Sequence, residues 1–242
     1  MARRCLFLDR VDVSLTYSEG RFTWTGAEDV SHVLIESSNI ESFTIEVSTD
    51  GTNFTETDFH GDTTITRPTN DTFLVPLADS HASLAGLQGI EFIDSDLFDT
   101  ETANIQVSLY NVIWAPSRQF TAEGYTPQRR VKESVFEKLD GGTSVSHYGM
   151  KRRWRLPFPK VGYDELSTID TLLTRQSFYF SILGTQGYDG GADLPDDAFR
   201  EDDYAPEVLY ECVTVGGYTP QPRAGLLSSD LGVKLTLDIR ET

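Results

Sequence analysis

The regular alternation of apolar and polar residues limits the fold of this sequence more than any other feature. In SFTIEVS, the apolar residues Phe43, Ile45 and Val47 alternate with polar ones, which is the period at which a β-strand buries one of its two faces. The segment NIQVSLYNVIW, residues 104–114, alternates in the same way and assigns Tyr110 to the polar face. Together these segments predict a mainly β protein.

A tight turn and one helix complete the predicted elements. Asp50 and Gly51 follow the first of these strands, and this dipeptide predicts a β-hairpin because glycine adopts the positive φ that such turns need. YDELSTIDTLLTR predicts a helix over residues 164–175, with Asp164 as its N-terminal cap. Its apolar stripe consists of Leu166, Ile169, Leu172 and Leu173.

The charge of the chain argues against an extended nucleic-acid-binding surface. The 242 residues carry a formal net charge of −18 at pH 7, whereas an extended nucleic-acid-binding surface needs a basic stripe that neutralises phosphates. Arginine outnumbers lysine by 15 to 5, and an acidic surface with few lysines is typical of halophilic proteins, whose self-repulsion is screened by concentrated salt. An ordinary acidic protein is the alternative, because net charge reports solubility rather than habitat.

The sequence predicts two domains. Residues 1–120 hold 6 arginines and no lysine against 19 acidic residues, whereas the rest of the chain holds 14 basic residues against 19 acidic ones. Pro116 and Pro127 follow the alternating segment that ends at Trp114, and prolines at this position are typical of a domain boundary. We place the first domain at 1–118 and the second at 119–242. The alternative is that the first strand, CLFLDRVDVSLTY, belongs to the second domain.

The first domain resembles a known family. IESFTIEVSTDGTNFTETDF, LQGIEFID and ANIQVSLYNVIWA are similar to strands of the galactose-binding-like, or discoidin-type, β-sandwich, in which the STDG segment precedes a solvent-facing hairpin. The resemblance spans roughly residues 20–115 and implies a sandwich that binds sugars through its loops. It assigns no sugar contacts, because the loop residues differ between members of that family. The available side chains are Trp24, His32, His60 and His81, each with a purely structural role as the alternative.

The second domain resembles a different family. VFEKLDGGTSVSHYGMKRRWRLPF, the helix and SFYFSILG follow the strand, turn, strand, helix, strand order of tail-tube-like proteins of tailed viruses, which include distal tail and minor tail ring proteins. The resemblance implies a β-barrel or sandwich whose copies join into a ring around a lumen, with an extra sandwich outside the ring. Distal tail proteins usually place the ring domain first, whereas here the sandwich-like segment comes first, unless it is inserted after a first barrel strand.

One dense run of positive charge stands out in this acidic chain, HYGMKRRWRL at 147–156. On a β-strand, Lys151, Arg153 and Arg155 point to one face because side chains alternate. The opposite face carries Met150, Arg152, Trp154, Leu156 and Phe158. Because Arg152 shares this apolar face, we expect it at the end of the sheet, paired with a buried carboxylate, or stacked on Trp154.

The counter-charge for Lys151, Arg153 and Arg155 lies in the chain itself. We predict that these cations contact the acidic segment DLPDDAFREDDY of a neighbouring subunit, because opposite patches steer assembly and fix its register. A solvated strand face and a contact with DNA passing through a lumen are the alternatives. Residues 188–204 also form a candidate Ca²⁺ site, although Pro195 and two glycines favour an exposed loop without metal. The acidic interface residues are Asp196, Asp197, Asp202 and Asp203.

Motifs for catalysis, cofactor binding and membrane insertion are missing from the sequence. The chain has no Gly-x-Ser-x-Gly elbow, no phosphate-binding glycine loop and no His-Glu-x-x-His, and its four histidines are isolated in sequence. Cys5 and Cys212 are too few for a disulfide framework, and no run of about 18 apolar residues occurs. We therefore predict a protein with two buried thiols and without enzymatic activity, cofactor, metal or membrane insertion.

These features predict a structural subunit of a tailed-virus tail, of the distal tail or tail ring type. Its partners are further copies of itself in a homo-oligomeric ring and other tail proteins, and its place is the virion tail, assembled in the host cytoplasm. Nucleic acid enters this hypothesis only as DNA passing through the lumen. A carbohydrate-binding module, or an accessory domain of a glycan-processing protein, is the alternative.

Overall fold

The computed structural model of the protein is mainly β, as predicted, and the described residues include one helix. The described residues are 2–3, 5–18, 20–37, 42–56, 65–66, 72–78, 81–93, 105–116, 120–121, 128–137, 143–182, 209–217, 221–222 and 232–242. The chain divides into two compact units. The sheet unit comprises Met1–Arg3, Pro116–Phe178 and Tyr210–Thr242, and the sandwich unit comprises Arg4–Ala115 and Tyr179–Leu209.

The elements follow one another in a simple order along the chain. They are β1 (Ala2–Arg3), β2 (Cys5–Val11), β3 (Thr16–Ser18), β4 (Arg21–Val30), β5 (His32–Ser37), β6 (Ser42–Ser48), β7 (Thr55–Glu56), β8 (Ile65–Thr66), β9 (Thr72–Pro76), β10 (Leu84–Ile93), β11 (Ile105–Trp114), β12 (Phe120–Thr121), β13 (Gln128–Glu137), β14 (Thr143–Val161), α1 (Leu166–Thr174), β15 (Phe178–Ile182), β16 (Tyr210–Thr214), β17 (Gln221–Pro222) and β18 (Val233–Glu241). All the strand pairs described below are antiparallel.

The sandwich unit contains two sheets that face each other. One has the strand order β15–β2–β11–β5–β9, and the other has the order β3–β4–β10–β6–β7, with β8 also paired to β6. Phe43, Ile45 and Val47 of β6 are buried between the sheets, as their alternation predicts. Val33 and Ile35 of β5 meet them from the opposite sheet. Full burial of a side chain of this size contributes about 1.5–3 kcal/mol, so this core is the main source of stability in the unit.

Strand β11 differs from the prediction on its second face. Leu109 lies in the core between the sheets, as expected. Tyr110, which the alternation of β11 places on the polar face, is only 3% exposed. It belongs to a second apolar cluster on the other face of its sheet, whose remaining buried members are Leu6, Leu8, Leu34 and Leu74. Because these leucines come from three other strands, the alternation within β11 alone could not reveal them.

The predicted hairpin is confirmed. Gly51 has a φ of 71°, and β6 pairs with β7 on the far side of the turn. The Oδ1 atom of Asp50 accepts backbone N–H bonds from Thr52 at 2.8 Å and from Asn53 at 2.7 Å. The backbone bond from Asn53, followed by that from Thr52, holds the pKa of the Asp50 carboxyl well below its usual value. The carboxylate therefore stays charged, and keeps its hydrogen bonds to the turn, until the pH becomes strongly acidic.

The sheet unit is built on an open antiparallel sheet. Its strand order is β13–β14–β18–β16, with β17 also paired to β18, while β1 pairs separately with β12. The described strands of this unit form an open sheet and do not close into the barrel that was one of the architectures expected for the second domain.

Helix α1 is shorter than predicted and starts differently. It spans Leu166–Thr174, and its N-cap residue is Glu165 rather than Asp164. The Glu165 carboxylate does not cap the helix with its side chain but reaches back to accept the backbone N–H of Gly162 at 2.8 Å. The fully buried residues of its apolar stripe are Ile169 and Leu172.

The units divide the chain close to the predicted boundary, but two segments are assigned differently. The chain leaves the sandwich unit after Ala115, near the boundary expected at residue 118. Strand β2 belongs to the sandwich unit, and only β1 of the N-terminal segment belongs to the sheet unit. Tyr179–Ile182 of β15, expected in the second domain, belong to the sandwich unit, because they pair with β2 and complete that sheet.

Candidate assembly surface

Strand β14 has two chemically different faces, as its sequence predicts. Trp154, Leu156 and Phe158 are at most 2% exposed, because they form the inner face of the sheet. Arg155 is exposed, and the Arg153 side chain retains 35% of its accessible surface. The backbone of Lys151 continues the same strand, and its side chain lies outside the described residues.

Arg152 shares the inner face with Trp154, and both its guanidinium and its backbone N–H have partners there. Its guanidinium lies 4.8 Å from the centre of the Tyr210 ring, and its Nη1 atom is 3.9 Å from Oε1 of Glu241. The backbone N–H of Arg152 also donates to Oε2 of Glu241 at 3.0 Å. The ring beneath the guanidinium is thus Tyr210, not Trp154 as one of the expected arrangements had it, and Tyr210 packs in turn against Trp154 at 4.9 Å.

The outer face of the sheet extends the positive charge from β14 to β18. In the strand register Arg153 is opposite Arg240, and Arg155 is opposite Asp238. The Nη2 atom of Arg153 lies 3.7 Å from Oδ1 of Asp238. Like charges directly opposite each other destabilise a strand pair, so Asp238 screens a repulsion between the two facing arginines.

We define the basic patch as the charged residues on this outer face. Its cations exceed its carboxylates by two among the described residues, although the whole chain carries a net charge of −18. Lys234 and Arg240 lie on this outer face because side chains alternate along β18, whose apolar residues are all buried. The members are Arg153, Arg155, Lys234, Arg240, Asp238 and Glu211.

The sequence-based prediction located two of the four cations of this patch. Arg153 and Arg155 lie on one face, as expected, whereas the contribution of β18 was missed. The signal was present in VKLTLDIRE, where Lys234, Asp238 and Arg240 alternate with apolar residues. The predicted acidic partners lie outside the described residues, so their pairing with the patch stays a prediction. These partners are Asp196, Asp197, Asp202 and Asp203.

The side chains available as sugar contacts lie in the interior of the sandwich unit where the structure describes them. Trp24 is 6% exposed within the core between the sheets, and its indole nitrogen has no hydrogen-bond partner among the described residues. His32 and His81 are 1% and 8% exposed. His60 lies outside the described residues. None of the three described side chains therefore offers an exposed platform on which a sugar ring stacks.

Both thiols are buried, as predicted. Cys5 and Cys212 are free cysteines. Burial raises the pKa of the Cys5 thiol, and burial followed by the nearby carboxylates of Glu241 and Glu211 raises the pKa of the Cys212 thiol. Thiols in this state are protonated and are poor nucleophiles and metal ligands.

Among the described residues no three His, Cys, Asp or Glu side chains converge as metal ligands do. Helix α1, the helix in that part of the chain, lacks the length and apolarity to cross a bilayer. No family model, curated protein or solved structure matches this chain.

Proposed function

We propose that this chain is a structural subunit of a tailed-virus tail, of the distal tail or tail ring type, that assembles into a ring through its β surfaces. The observation that carries the proposal is the basic patch, because an exposed excess of cations on a sheet face is out of place in a chain of net charge −18. The order of elements that resembles tail-tube-like proteins supports it. Other tail proteins are the remaining partners.

The chemistry of the patch favours a protein partner over nucleic acid. Arg153, Arg155 and Arg240 surround Asp238 within two neighbouring strands, and this compact group of cations matches a few carboxylates better than a long phosphate backbone. In a ring the same contact repeats once per subunit. The most abundant counter-charge is the chain's own acidic surface.

Reversal of two patch charges tests this proposal. We expect Arg153→Glu combined with Arg155→Glu to weaken assembly while each unit stays folded, because both side chains point away from the inner face. An exposed pair contributes at most about 1 kcal/mol, or roughly a fivefold change in association at each contact. Sedimentation velocity of the variant and the wild type measures the loss of assembly.

The matched control places the same charge change elsewhere. Arg10→Glu combined with Arg175→Glu alters two exposed arginines outside the patch, and we expect assembly to persist. If the patch variant assembles as the wild type does but loses retention of DNA on a filter, the patch contacts DNA in the lumen. If it loses neither property, the patch is a solvated face and the proposal is wrong.

A further inference from the structure

Two histidines form a buried pair on the sandwich unit, separate from the basic patch. His32, at the start of β5, is paired in register with Tyr110 of β11 and is 1% exposed. Its Nε2 atom lies 2.9 Å from Nδ1 of His81, and the two rings are nearly coplanar, with 9° between their planes. Its Nδ1 atom lies 2.8 Å from Oγ of Ser31.

Ser31, His32 and His81 form a chain of hydrogen bonds. The Ser31 hydroxyl donates to the backbone carbonyl of Tyr110 at 3.3 Å, and its oxygen also lies 2.8 Å from Nδ1 of His32. In the contact between the two rings one nitrogen donates its N–H and the other accepts with its lone pair. This contact therefore has room for a single proton.

The surroundings oppose a second proton. Burial, and then the neighbouring His81, hold the pKa of His32 well below its ordinary value. On the same sheet face, burial raises the pKa of Tyr110 to about 12, so this neighbour stays uncharged. Arg10 on β2 adds positive charge to that face, and Glu36, the carboxylate of β5, lies about 13 Å along the strand at ~3.3 Å per residue. Tyr179 of β15 packs on the same face.

The histidine pair also anchors a backbone segment that is strained at His81. His81 lies between β9 and β10 and has a φ of 57°, the one positive value among the described non-glycine residues. Its backbone N–H donates to the carbonyl of Ala78 at 3.0 Å, and the N–H of Leu77 donates to the carbonyl of Ser31 at 2.8 Å. The connection is thus tied to Ser31 through its backbone and to His32 through the ring of His81.

We propose that the His32–His81 pair is an acid-sensitive latch, which holds Leu77 and His81 of the β9–β10 connection on the sheet at neutral pH and releases them when the pair takes up a further proton. A second proton between Nε2 of His32 and Nδ1 of His81 would set two N–H groups against each other, and the 2.9 Å contact between these nitrogens cannot hold both. The strained backbone at His81 then favours the released state. The inference stands on the sandwich unit alone and does not depend on assembly.

The sign of the pH dependence follows from linkage. Because the folded pKa of His32 lies below its unfolded value, the latched state binds fewer protons than the released state. Its stability is fully present above about pH 6.5, the ordinary pKa of histidine, and declines as the pH falls below that value. The equilibrium constant for opening should rise by up to about tenfold for each unit by which the pH falls in this window.

Hydrogen exchange of the full chain, corrected for the intrinsic pH dependence of exchange, measures this opening. We expect the amides of Leu77 and His81 to lose protection between about pH 7.5 and about pH 5, while the β6 amides keep theirs. His81→Asn should abolish the response, because asparagine tolerates positive φ and its amide can turn either the nitrogen or the oxygen toward His32. The control, His60→Asn with His147→Asn, should respond as the wild type does.

Two outcomes would overturn the latch. One is protection at Leu77 and His81 that does not change with pH in the wild type. The other is an equal loss of protection in the wild type and in His81→Asn. The ¹⁵N shifts of the imidazoles in the wild-type protein provide an independent measurement that needs no variant. Near neutral pH both His32 and His81 should be neutral, and a charged ring would contradict the proposal.

Discussion

Replacing Trp154 by alanine should lower the free energy of unfolding of the sheet unit by about 3–5 kcal/mol, the usual cost of removing a buried aromatic side chain. Trp154 is 2% exposed and packs against Tyr210, which lies in turn beneath Arg152. Its loss therefore leaves a cavity and removes the support of the Arg152 and Glu241 pair. Urea denaturation followed by circular dichroism measures the effect without relying on the deleted indole.

Arg155→Ala is the matched control on the same strand. Arg155 is the next residue and points to the exposed face, so its removal should change the free energy of unfolding by less than about 0.5 kcal/mol. Equal losses for the two variants would mean that β14 does not have one buried and one exposed face. The basic patch depends on this separation of the two faces, so its assignment to an exposed face would then be wrong.

Replacing Phe180 by alanine should also cost about 3–5 kcal/mol, but in the sandwich unit. Phe180 has no exposed surface, and its ring centre lies 5.4 Å from that of Phe7, which stacks on Trp114 at 5.2 Å. The variant tests whether β15 belongs to this unit, where the sequence had placed it in the other. Phe180→Leu, which keeps most of the volume, should cost less than about 1.5 kcal/mol.

A double-mutant cycle tests whether the loss of stability in Phe180→Ala arises from the contact between Phe180 and Phe7. Because Phe7 and Phe180 are in contact, the losses of Phe7→Ala and Phe180→Ala should be non-additive by about 0.5–3 kcal/mol. Additive losses would show that the two rings do not pack together. The assignment of β15 beside β2 would then fail, together with the composition of the sandwich unit.

Much of the fold could be predicted because β-structure leaves a local signal. The alternation of Phe43, Ile45 and Val47 shows directly which face is buried, and Gly51 marks the turn because few other residues accept its φ of 71°. The same rule places Arg153 and Arg155 on one face of β14. Each of these predictions depends on neighbours only a few residues apart in sequence.

The features that the sequence could not give arise between distant segments. Tyr110 is buried by leucines of other strands, and His32 meets His81 across 49 residues. The basic patch gains Arg240 from β18 only when the strand register places it opposite Arg153. Pairing of this kind is set by tertiary contacts, so periodicity within one strand does not report it.

We propose that this chain assembles into a ring through its β surfaces, and the solution mass of the purified protein tests this proposal most directly. Multi-angle light scattering over a range of protein concentrations should give one mass, at a whole-number multiple of the mass of a single chain, because a closed ring has a fixed number of subunits. The mass of a single chain at every concentration, above all together with retention of the protein on a glycan column, would contradict the claim and favour a carbohydrate-binding module.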